Sequence, residues 1–390
     1  MYKIKTLNGL APKAIEQLDS AFYTVSDEAA NPDAILLRSA KLHDEVFNSE
    51  LLCIARAGSG VNNIPVDRCS DSGVVVFNTP GANAEAVKEL VIASMLLASR
   101  DLLGGIDWVK TIAGEAEISA LVEKGKNNYV GPEIFGKKLG VVGLGAIGAK
   151  IANAATALGM TVYGFDPYLS VESALRLSTK MIHAKDLDTI YKNCDYITLH
   201  VPLTDSTRCM ISNESIAKMK QGVRIINLAR AELVNDDDIL AALESKKVTC
   251  YVTDFPNGRT AGAPCVIAIP HLGASTPESE DNCSSMACSE IVEYIENGNI
   301  VNAVNMPSAY LMRTDDPRLC VIHDNVPDMI SKIAGAVSSF GVNIENMINA
   351  STKGKVPAYT MLDIDSVPDG LENAIKEIDG VTRVRILKGR

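Results

Sequence analysis

Three glycines with the spacing G-x-G-x-x-G mark the part of the chain best suited to bind a dinucleotide. Gly143, Gly145 and Gly148 follow the apolar run 139–142 and open an Ala-rich segment typical of a helix. In this arrangement the first glycine makes a tight turn, the second lets the backbone approach a pyrophosphate, and the third allows close packing of helix and strand. The unpaired N–H groups at the start of the helix would face the phosphates.

An acidic residue ends the next apolar stretch, 161–165. Asp166 would accept hydrogen bonds from a ribose 2′-OH and repel a 2′-phosphate, which favours NAD over NADP. The strand before the glycines, the helix after them and the acid on the following strand together predict an NAD site.

An enzyme that transfers a hydride from an alcohol also needs a base for the hydroxyl proton and usually a cation for a substrate carboxylate. His271, one of five histidines, follows a predicted strand of the same sheet, and Arg230 follows the strand 224–228. Arg230 is placed to bind a carboxylate bidentately. On position alone, a structural histidine and a surface salt bridge remain open, and His200 at the end of a third strand has the same ambiguity.

The N-terminal part has a βαβ rhythm of its own but lacks the glycine motif. The loops 56–61 and 78–82 follow two of its predicted strands, where ligands collect in open α/β sheets. Gly58 and Gly60 could present backbone N–H groups to an anion, with Arg56 as the charge. Two ordinary βα turns are the equal alternative.

The elements that position these residues follow from the hydrophobic pattern. Strands are predicted at 34–38, 52–56, 74–78, 196–200, 224–228, 249–253 and 266–269, with helices at 13–18, 43–51, 85–99, 236–245 and from Pro277 to about Gly298. After a linker, the pattern β (319–323), α (327–340), β (343–351), β (358–364), α (370–377), β (382–387) predicts a small α+β module.

The predicted fold is therefore α/β, with two doubly wound parallel-sheet domains (a Rossmann-type cofactor domain and a flavodoxin-like substrate domain) plus a βαββαβ C-terminal domain. The predicted bounds are 1–97 with 275–306 for the discontinuous substrate domain, 98–274 for the NAD-binding domain, 307–317 for the linker and 318–390 for the last domain.

Composition narrows the class of protein. The 390 residues carry a net charge of −11, which disfavours nucleic acid and anionic membrane surfaces as partners. Nine cysteines without a C-x-x-C pair are typical of core residues in a reducing cytosol, so we expect a cytoplasmic protein with no metal site.

The chain resembles the D-isomer-specific 2-hydroxyacid dehydrogenases over nearly its whole length. Within this family it resembles the members that act on 3-phosphoglycerate and carry a C-terminal ACT domain. The motifs that carry the resemblance are RAGSGV at 56–61, NTPG at 78–81, GLGAIG at 143–148, HVPLT at 200–204, NLAR at 227–230 and PHLGAST at 270–276.

The resemblance implies roles for residues that position alone left open. Arg230 would bind the carboxylate and carbonyl oxygen of the substrate, and His271 would be the general acid/base. The cofactor-binding residues would be Gly143, Gly145, Ala146, Ile147, Gly148, Asp166, His200, Val201, Pro202, Leu228, Ala229, Asp254, Gly273 and Ala274. The substrate-binding residues would be Arg56, Ser59, Gly60, Val61 and Thr79.

Two departures from the family pattern stand out. The family pairs its histidine with a glutamate in the loop after the strand, where this chain has Gly258, so the resemblance implies a weakened acid/base pair or a substitute such as Glu278. In the ACT-like module, His323, Asn325 and Asn343 match residues that contact the effector serine in feedback-inhibited members. The usual Asn-x-Pro-Gly is Asn-Val-Pro-Asp here, with Asp328 in place of glycine.

The expected reaction is NAD-dependent oxidation of 3-phosphoglycerate to 3-phosphooxypyruvate, the first step of phosphorylated serine biosynthesis. The alternatives are a hydroxypyruvate or glyoxylate reductase and a non-catalytic NAD-sensing protein. The resemblance also implies a homo-oligomer, either a dimer through the cofactor domain or a tetramer.

Overall fold

The computed structural model describes residues 1–352 and 357–389, and the chain divides into two compact units. Unit 1 comprises Met1–Asn83 and Glu280–Arg390, and unit 2 comprises Ala84–Ser279. Within the described ranges, no helix has the length and apolar character needed to cross a membrane.

Unit 1 begins with a parallel five-stranded sheet of order β2-β1-β3-β4-β5. The predicted strands 34–38, 52–56 and 74–78 are confirmed to within one residue at each end, whereas β1 and β2 were not predicted. The elements are β1 (Tyr2–Leu7), α1 (Pro12–Ile15), β2 (Tyr23–Ser26), β3 (Ala34–Leu37), β4 (Cys53–Arg56), α2 (Val66–Asp71) and β5 (Val75–Asn78).

The helix predicted at 43–51 is wrong, because this segment forms turns and backbone without regular secondary structure. Arg68 of α2 reaches across to it, and its guanidinium lies 4.6 Å from the centre of the Phe47 ring. The segment's carbonyl oxygens therefore find a side-chain donor in place of the N–H groups of a helix. The acceptors are Leu42 O at 3.0 Å, His43 O at 3.1 Å and Glu45 O at 2.7 Å.

Unit 2 is built on a parallel seven-stranded sheet of order β12-β11-β10-β9-β6-β7-β8. The strand order reverses between β6 and β9, which is where such sheets open a crevice for a nucleotide. The elements are α3 (Ala84–Ser99), α4 (Leu102–Thr111), α5 (Ile118–Gly125), β6 (Lys138–Val142), α6 (Ala146–Ala157), β7 (Thr161–Phe165), α7 (Val171–Leu175), β8 (Ile182–His183), α8 (Leu187–Asn193), β9 (Tyr196–Leu199), α9 (Asn213–Lys218), β10 (Val223–Asn227), α10 (Asp236–Glu244), β11 (Val248–Thr253) and β12 (Val266–Ala268).

The chain returns to unit 1 through the long helix α11 (Pro277–Asn297) and ends in the predicted βαββαβ module. The antiparallel sheet of the module has the order β14-β15-β13-β16. One of its faces packs on α12 and α13, and the other shares a core with α11 and the N-terminal sheet. The elements are β13 (Arg318–His323), α12 (Met329–Ser339), β14 (Ile344–Ala350), β15 (Ala358–Ile364), α13 (Leu371–Lys376) and β16 (Val381–Leu387).

Buried polar contacts reinforce this attachment of the module. Arg318 of β13 donates to both carboxylate oxygens of Asp363 at 2.7 and 3.1 Å. The same guanidinium donates to the carbonyls of Asn297 at the end of α11 and of Leu311 in the predicted linker, at 2.8 and 2.9 Å. The segment 307–317 is thus fixed by hydrogen bonds to both neighbours, and the division into three domains stays a prediction.

Candidate functional site

The three glycines of the predicted nucleotide motif lie between β6 and α6, and each is required for a different reason. Gly143 has φ +91°, and a Cβ there would lie 2.4 Å from the carbonyl oxygen of His200. At Gly148 a Cβ would lie 1.9 Å from the carbonyl oxygen of Gly143, so helix and turn pack without space for a methyl group. A Cβ at Gly145 would meet nothing within 4 Å, which leaves this side of the turn open to a ligand.

The start of α6 is suited to receive a phosphate. Its N-cap is Gly145, and no side chain caps the first N–H groups. Ala146 and Ile147 form the first turn, so their backbone donors and the helix dipole remain for an anion.

Asp166 directly follows β7 and binds the glycine turn. Its Oδ2 accepts from the N–H of Leu144 at 2.9 Å, and its Oδ1 accepts from the N–H of Tyr168 at the same distance. The carboxylate is half-buried and keeps lone pairs for further donors. This geometry fits an acid that holds the turn and accepts from a ribose hydroxyl.

His200 lies at the carboxyl end of β9, beside the same turn. Its N–H donates to the carbonyl of Val142 at 2.7 Å, and its Nε2 is 2.8 Å from the hydroxyl of Thr198. Burial lowers the pKa of His200 to about 3, so its imidazole is neutral at physiological pH. His200 therefore adds no charge beside the glycine turn.

Arg230 lies in the turn after β10, and the side chain of Asn227 shapes this turn. Asn227 is fully buried, donates to the carbonyl of Arg230 at 2.8 Å and accepts from the N–H of Ala229 at 3.2 Å. Tyr251 of β11 lies 3.4 Å from the same amide nitrogen. The Arg230 side chain is exposed, and its Nη1 donates to the carbonyl of Ala229 at 2.6 Å. The motif NLAR at 227–230 begins with this asparagine, so the sequence contained an indication of its role.

His271 follows β12 with a left-handed backbone, φ +33°. Its N–H donates to the backbone carbonyl of Asp254 at 3.0 Å, and its own carbonyl accepts from the Ser275 hydroxyl at 3.3 Å. The imidazole is exposed and tilted against the Phe255 ring, with 4.7 Å between ring centres. The loop therefore presents the ring to solvent and supports one side of it with an aromatic residue.

Asp254 connects the two predicted catalytic residues electrostatically. It is 1% exposed; its Oδ2 accepts from the N–H of Gly273 at 3.2 Å, and its Oδ1 has no partner among the described residues. Burial raises the pKa of this carboxyl, while the Gly273 N–H and the charges of His271 and Arg230 lower it. The structure thus brings Arg230, Asp254 and His271 into one electrostatic neighbourhood.

Gly258, the residue at the position where the family pattern has a glutamate, has free space around it. A Cβ at Gly258 would meet nothing within 4 Å. In the described part of the chain no hydrogen bond or ion pair joins Glu278 to His271, so the structure offers no support for Glu278 as its partner.

The remaining predicted cofactor residues lie where the strands of the unit 2 sheet end. They are Val201 and Pro202 after β9, Leu228 and Ala229 after β10, and Gly273 and Ala274 after β12.

In unit 1, the two predicted substrate loops are bonded to each other. The Thr79 hydroxyl accepts from the N–H of Gly58 at 2.7 Å, and the Thr79 N–H donates to the Gly58 carbonyl at 3.1 Å. The side chain of Asn78 donates to the carbonyl of Ser59 at 2.6 Å. Thr79 is 0% exposed, so its side chain contacts the 56–61 loop and not solvent. Ser59 is exposed, and Gly60 and Val61 are half-buried.

A cavity of about 510 Å³ opens beside Arg56, where β3 and β4 end. Arg56 donates from Nε to the carbonyl of Arg38 at 3.0 Å, which orients its guanidinium. No acidic side chain is among the residues that line the cavity in the described structure, so the site suits an anion. The lining residues are Ser39, Lys41, His43, Arg56, Asn62 and Asn63.

The three predicted effector residues differ in accessibility. His323 is 2% exposed, with Nδ1 2.7 Å from the carbonyl of Asp324 and Nε2 2.8 Å from the Thr360 hydroxyl. Asn325 and Asn343 are exposed, and their amides donate to Thr352 O at 3.3 Å and to Glu345 Oε1 at 2.6 Å. His323 therefore has both ring nitrogens in internal hydrogen bonds.

A dinucleotide turn, an arginine and a histidine at the strand ends of one parallel sheet define the class of the protein as an NAD-binding oxidoreductase. Residues 92–273 match the model of the D-isomer specific 2-hydroxyacid dehydrogenase, NAD binding domain. The chain belongs to this family of D-isomer-specific 2-hydroxyacid dehydrogenases.

Individual relatives agree with this assignment. The chain is 35% identical over 304 residues to the D-3-phosphoglycerate dehydrogenase of Bacillus subtilis, across 75% of this chain and 55% of that protein. It is 31% identical to the D-3-phosphoglycerate dehydrogenase of Escherichia coli, across 99% of this chain and 98% of that one. A solved structure of NAD+-bound 3-phosphoglycerate dehydrogenase from Entamoeba histolytica has a TM-score of 0.60 at 26% identity, and covers 80% of this chain and 99% of that one.

The relatives differ in length. The chain spans about half of three of the curated proteins that it matches, 49% to 55% of each, whereas it covers nearly the whole E. coli protein.

Proposed function

We propose that this protein oxidises the C2 hydroxyl of 3-phosphoglycerate to the ketone of 3-phosphooxypyruvate, with NAD as the acceptor. The observation that carries the proposal is the position of Arg230 after β10 and of His271 after β12, at strand ends of the sheet that holds the glycine turn, with the His271 N–H bonded to the Asp254 carbonyl. This grouping supplies a base and a carboxylate-binding cation, the two groups that oxidation of a 2-hydroxy acid requires.

Each residue has a defined part in the reaction. The imidazole of His271 accepts the proton of the C2 hydroxyl as the carbonyl forms, and returns it in the reverse direction. Arg230 binds the substrate carboxylate and stabilises the charge that develops on the C2 oxygen. Bound NAD supplies the acceptor for the hydride that leaves C2. Asp254 and Asn227 hold the two loops in place.

The basic cavity of unit 1 supports a phosphorylated substrate. Lys41 and Arg56 line it together with amide and hydroxyl donors, in a chain whose net charge is −11. A local cluster of cations is what such an acidic protein needs in order to bind a phosphate.

Initial rates of NADH formation test the proposal, with 3-phosphoglycerate or D-glycerate as substrate and NAD or NADP as acceptor. We expect kcat/KM to be highest for 3-phosphoglycerate with NAD, and inorganic phosphate to compete with the substrate. Preference for glycerate, together with reduction of hydroxypyruvate or glyoxylate that phosphate does not inhibit, would identify a reductase. NAD binding without turnover of any of these substrates would identify a sensor.

The same proposal extends to partners. Helices α4 and α5 contain no buried residue, and Leu102, Leu103, Ile106 and Val109 of α4 are exposed apolar side chains, which supports a homo-oligomer through the cofactor domain. Sedimentation of the purified chain tests this. Serine as an effector at His323, Asn325 and Asn343 stays a prediction, and loss of activity in millimolar serine would support it.

A further inference from the structure

A buried carboxyl group lies in unit 1, in the middle of α11 and outside the catalytic residues described above. Glu290 is 6% exposed, and its Oε1 accepts a hydrogen bond from the Asn302 amide at 2.8 Å. Its Oε2 is buried without a partner among the described residues. A carboxylate with one donor is poorly compensated in such a site, so the neutral acid is favoured. Burial accordingly raises the pKa of Glu290 to about 8, against the opposing effect of the Asn302 bond.

The partner of Glu290 belongs to a segment that lies antiparallel to β5. Ala303 pairs with Phe77, and the N–H of Val304 donates to the carbonyl of Val76 at 2.8 Å. Asn302 has φ +59°, and its carbonyl accepts from the N–H of Asn78 at 3.3 Å. Glu290 is therefore connected to Asn78, the last residue of β5, through Asn302.

Asn78 in turn fixes a substrate loop. Its side-chain amide donates to the carbonyl of Ser59 at 2.6 Å, and the next residue, Thr79, exchanges two hydrogen bonds with Gly58. The path from Glu290 through Asn302 and Asn78 to Ser59 lies entirely within unit 1.

We propose that Glu290 is a positioning residue for the substrate loops, whose carboxyl group holds Asn302, and through it Asn78 and the 56–61 loop, in the binding conformation. The inference rests on the proposed function, since Ser59 and its neighbours are predicted to contact the substrate. When the carboxyl ionises, its buried Oε2 still has no donor, so α11 must shift to admit water or a new donor, and the segment that carries Asn302 shifts with it.

Within the described structure, burial and the Asn302 hydrogen bond are the two influences on the pKa of Glu290, and the Asn302 amide does not titrate. The charge of Glu290 acts on the Cys53 thiol of β4, and burial raises the pKa of that thiol to about 12, so the thiol stays protonated between about pH 7 and pH 9.

Hydrogen exchange of the full chain tests the inference without relying on turnover. We compare the wild-type protein with Glu290→Gln, whose amide stays neutral, on peptides covering 56–61 and 78–81, so that intrinsic rates cancel at each pH. Exchange should be equal near pH 7, and about threefold or more faster in the wild-type protein near pH 9. Over the same range the KM for 3-phosphoglycerate should rise in the wild-type protein relative to Glu290→Gln, while at each pH the two proteins should have the same kcat and the same KM for NAD.

Two further variants sharpen the result. Glu293→Gln makes the same change one turn along α11, where the carboxylate accepts from Asn297 and Asn299, and should behave as the wild-type protein. Asn302→Gly keeps the backbone carbonyl and suits the positive φ, so it tests the contact even if Glu290→Gln does not fold; its loops should exchange rapidly at both pH values.

Equal exchange in the wild-type protein and Glu290→Gln at both pH values would overturn the inference, as would slow exchange in Asn302→Gly. If neither protein oxidises 3-phosphoglycerate, the proposed function fails, and the exchange difference still decides the role of Glu290.

Discussion

The backbone N–H of His271 donates to the backbone carbonyl of Asp254 at 3.0 Å, and the Asp254 carboxylate accepts from Gly273, two residues beyond that histidine, at 3.2 Å. The end of β11 thus holds the backbone on both sides of the imidazole. A left-handed φ of +33° is costly for a histidine, and these bonds stabilise it. Main-chain bonds therefore place His271, the proposed general acid/base, while its ring remains exposed.

The glycine turn makes a paired prediction. Gly148→Ala places a methyl group against the Gly143 carbonyl and should lower the free energy of unfolding by about 2 kcal/mol or more. Gly145→Ala meets no neighbouring atom, so unfolding should be nearly unchanged, whereas NAD should bind about tenfold more weakly because the pyrophosphate can no longer approach. Chemical denaturation and NAD titration of both variants measure the two effects. A stable Gly145→Ala that binds NAD normally would contradict the placement of the coenzyme.

Gly258→Glu restores the carboxylate that the family pattern has at this position. The loop has space for the side chain, and a carboxylate beside the imidazole favours its charged form. The acid limb of the pH profile of kcat/KM should therefore move to higher pH by about one unit. Gly262→Glu is the control, since Gly262 lies in the same loop and is also open. Identical profiles for the wild-type protein and Gly258→Glu would show that this position does not communicate with His271.

Asp328 makes a prediction about stability in the C-terminal module. It has φ +69° at the start of α12 and makes no side-chain cap, at the position where the ACT motif has glycine. Asp328→Gly should raise the free energy of unfolding by about 1 kcal/mol, because glycine adopts this conformation without the clash of a Cβ. Lys332→Gly, inside α12, should lower it by about the same amount. Thermal unfolding of both variants measures the sign of each change in stability. A destabilised Asp328→Gly would show that the backbone of Asp328 is not strained.

Local signals in the sequence were sufficient for much of this fold. Gly143, Gly145 and Gly148 predict a turn whose geometry depends on contacts within a few residues, and Asp166 lies at the end of the strand that follows. The order βαββαβ of the C-terminal module could also be predicted, because the spacing of apolar residues differs between its strands and its helices.

Contacts between distant residues account for what the sequence did not show. The segment 43–51 has a composition compatible with a helix, and Arg68 satisfies its carbonyls from another element. The roles of Asn227 and Glu290 depend on which backbone groups and which amide the fold places beside them. Such pairings are a property of the tertiary structure, and residue type alone does not specify them.

The most direct measurement of the central claim is the turnover of His271→Asn with 3-phosphoglycerate and NAD, together with its affinity for NAD. Asparagine tolerates the left-handed backbone at this position, so the loop should be preserved. We predict that kcat falls by about 10² to 10⁴ while the Kd for NAD stays within about twofold of the wild-type value. A variant that turns over within about tenfold of the wild-type rate, with NAD bound normally, would contradict the assignment of His271 as the acid/base.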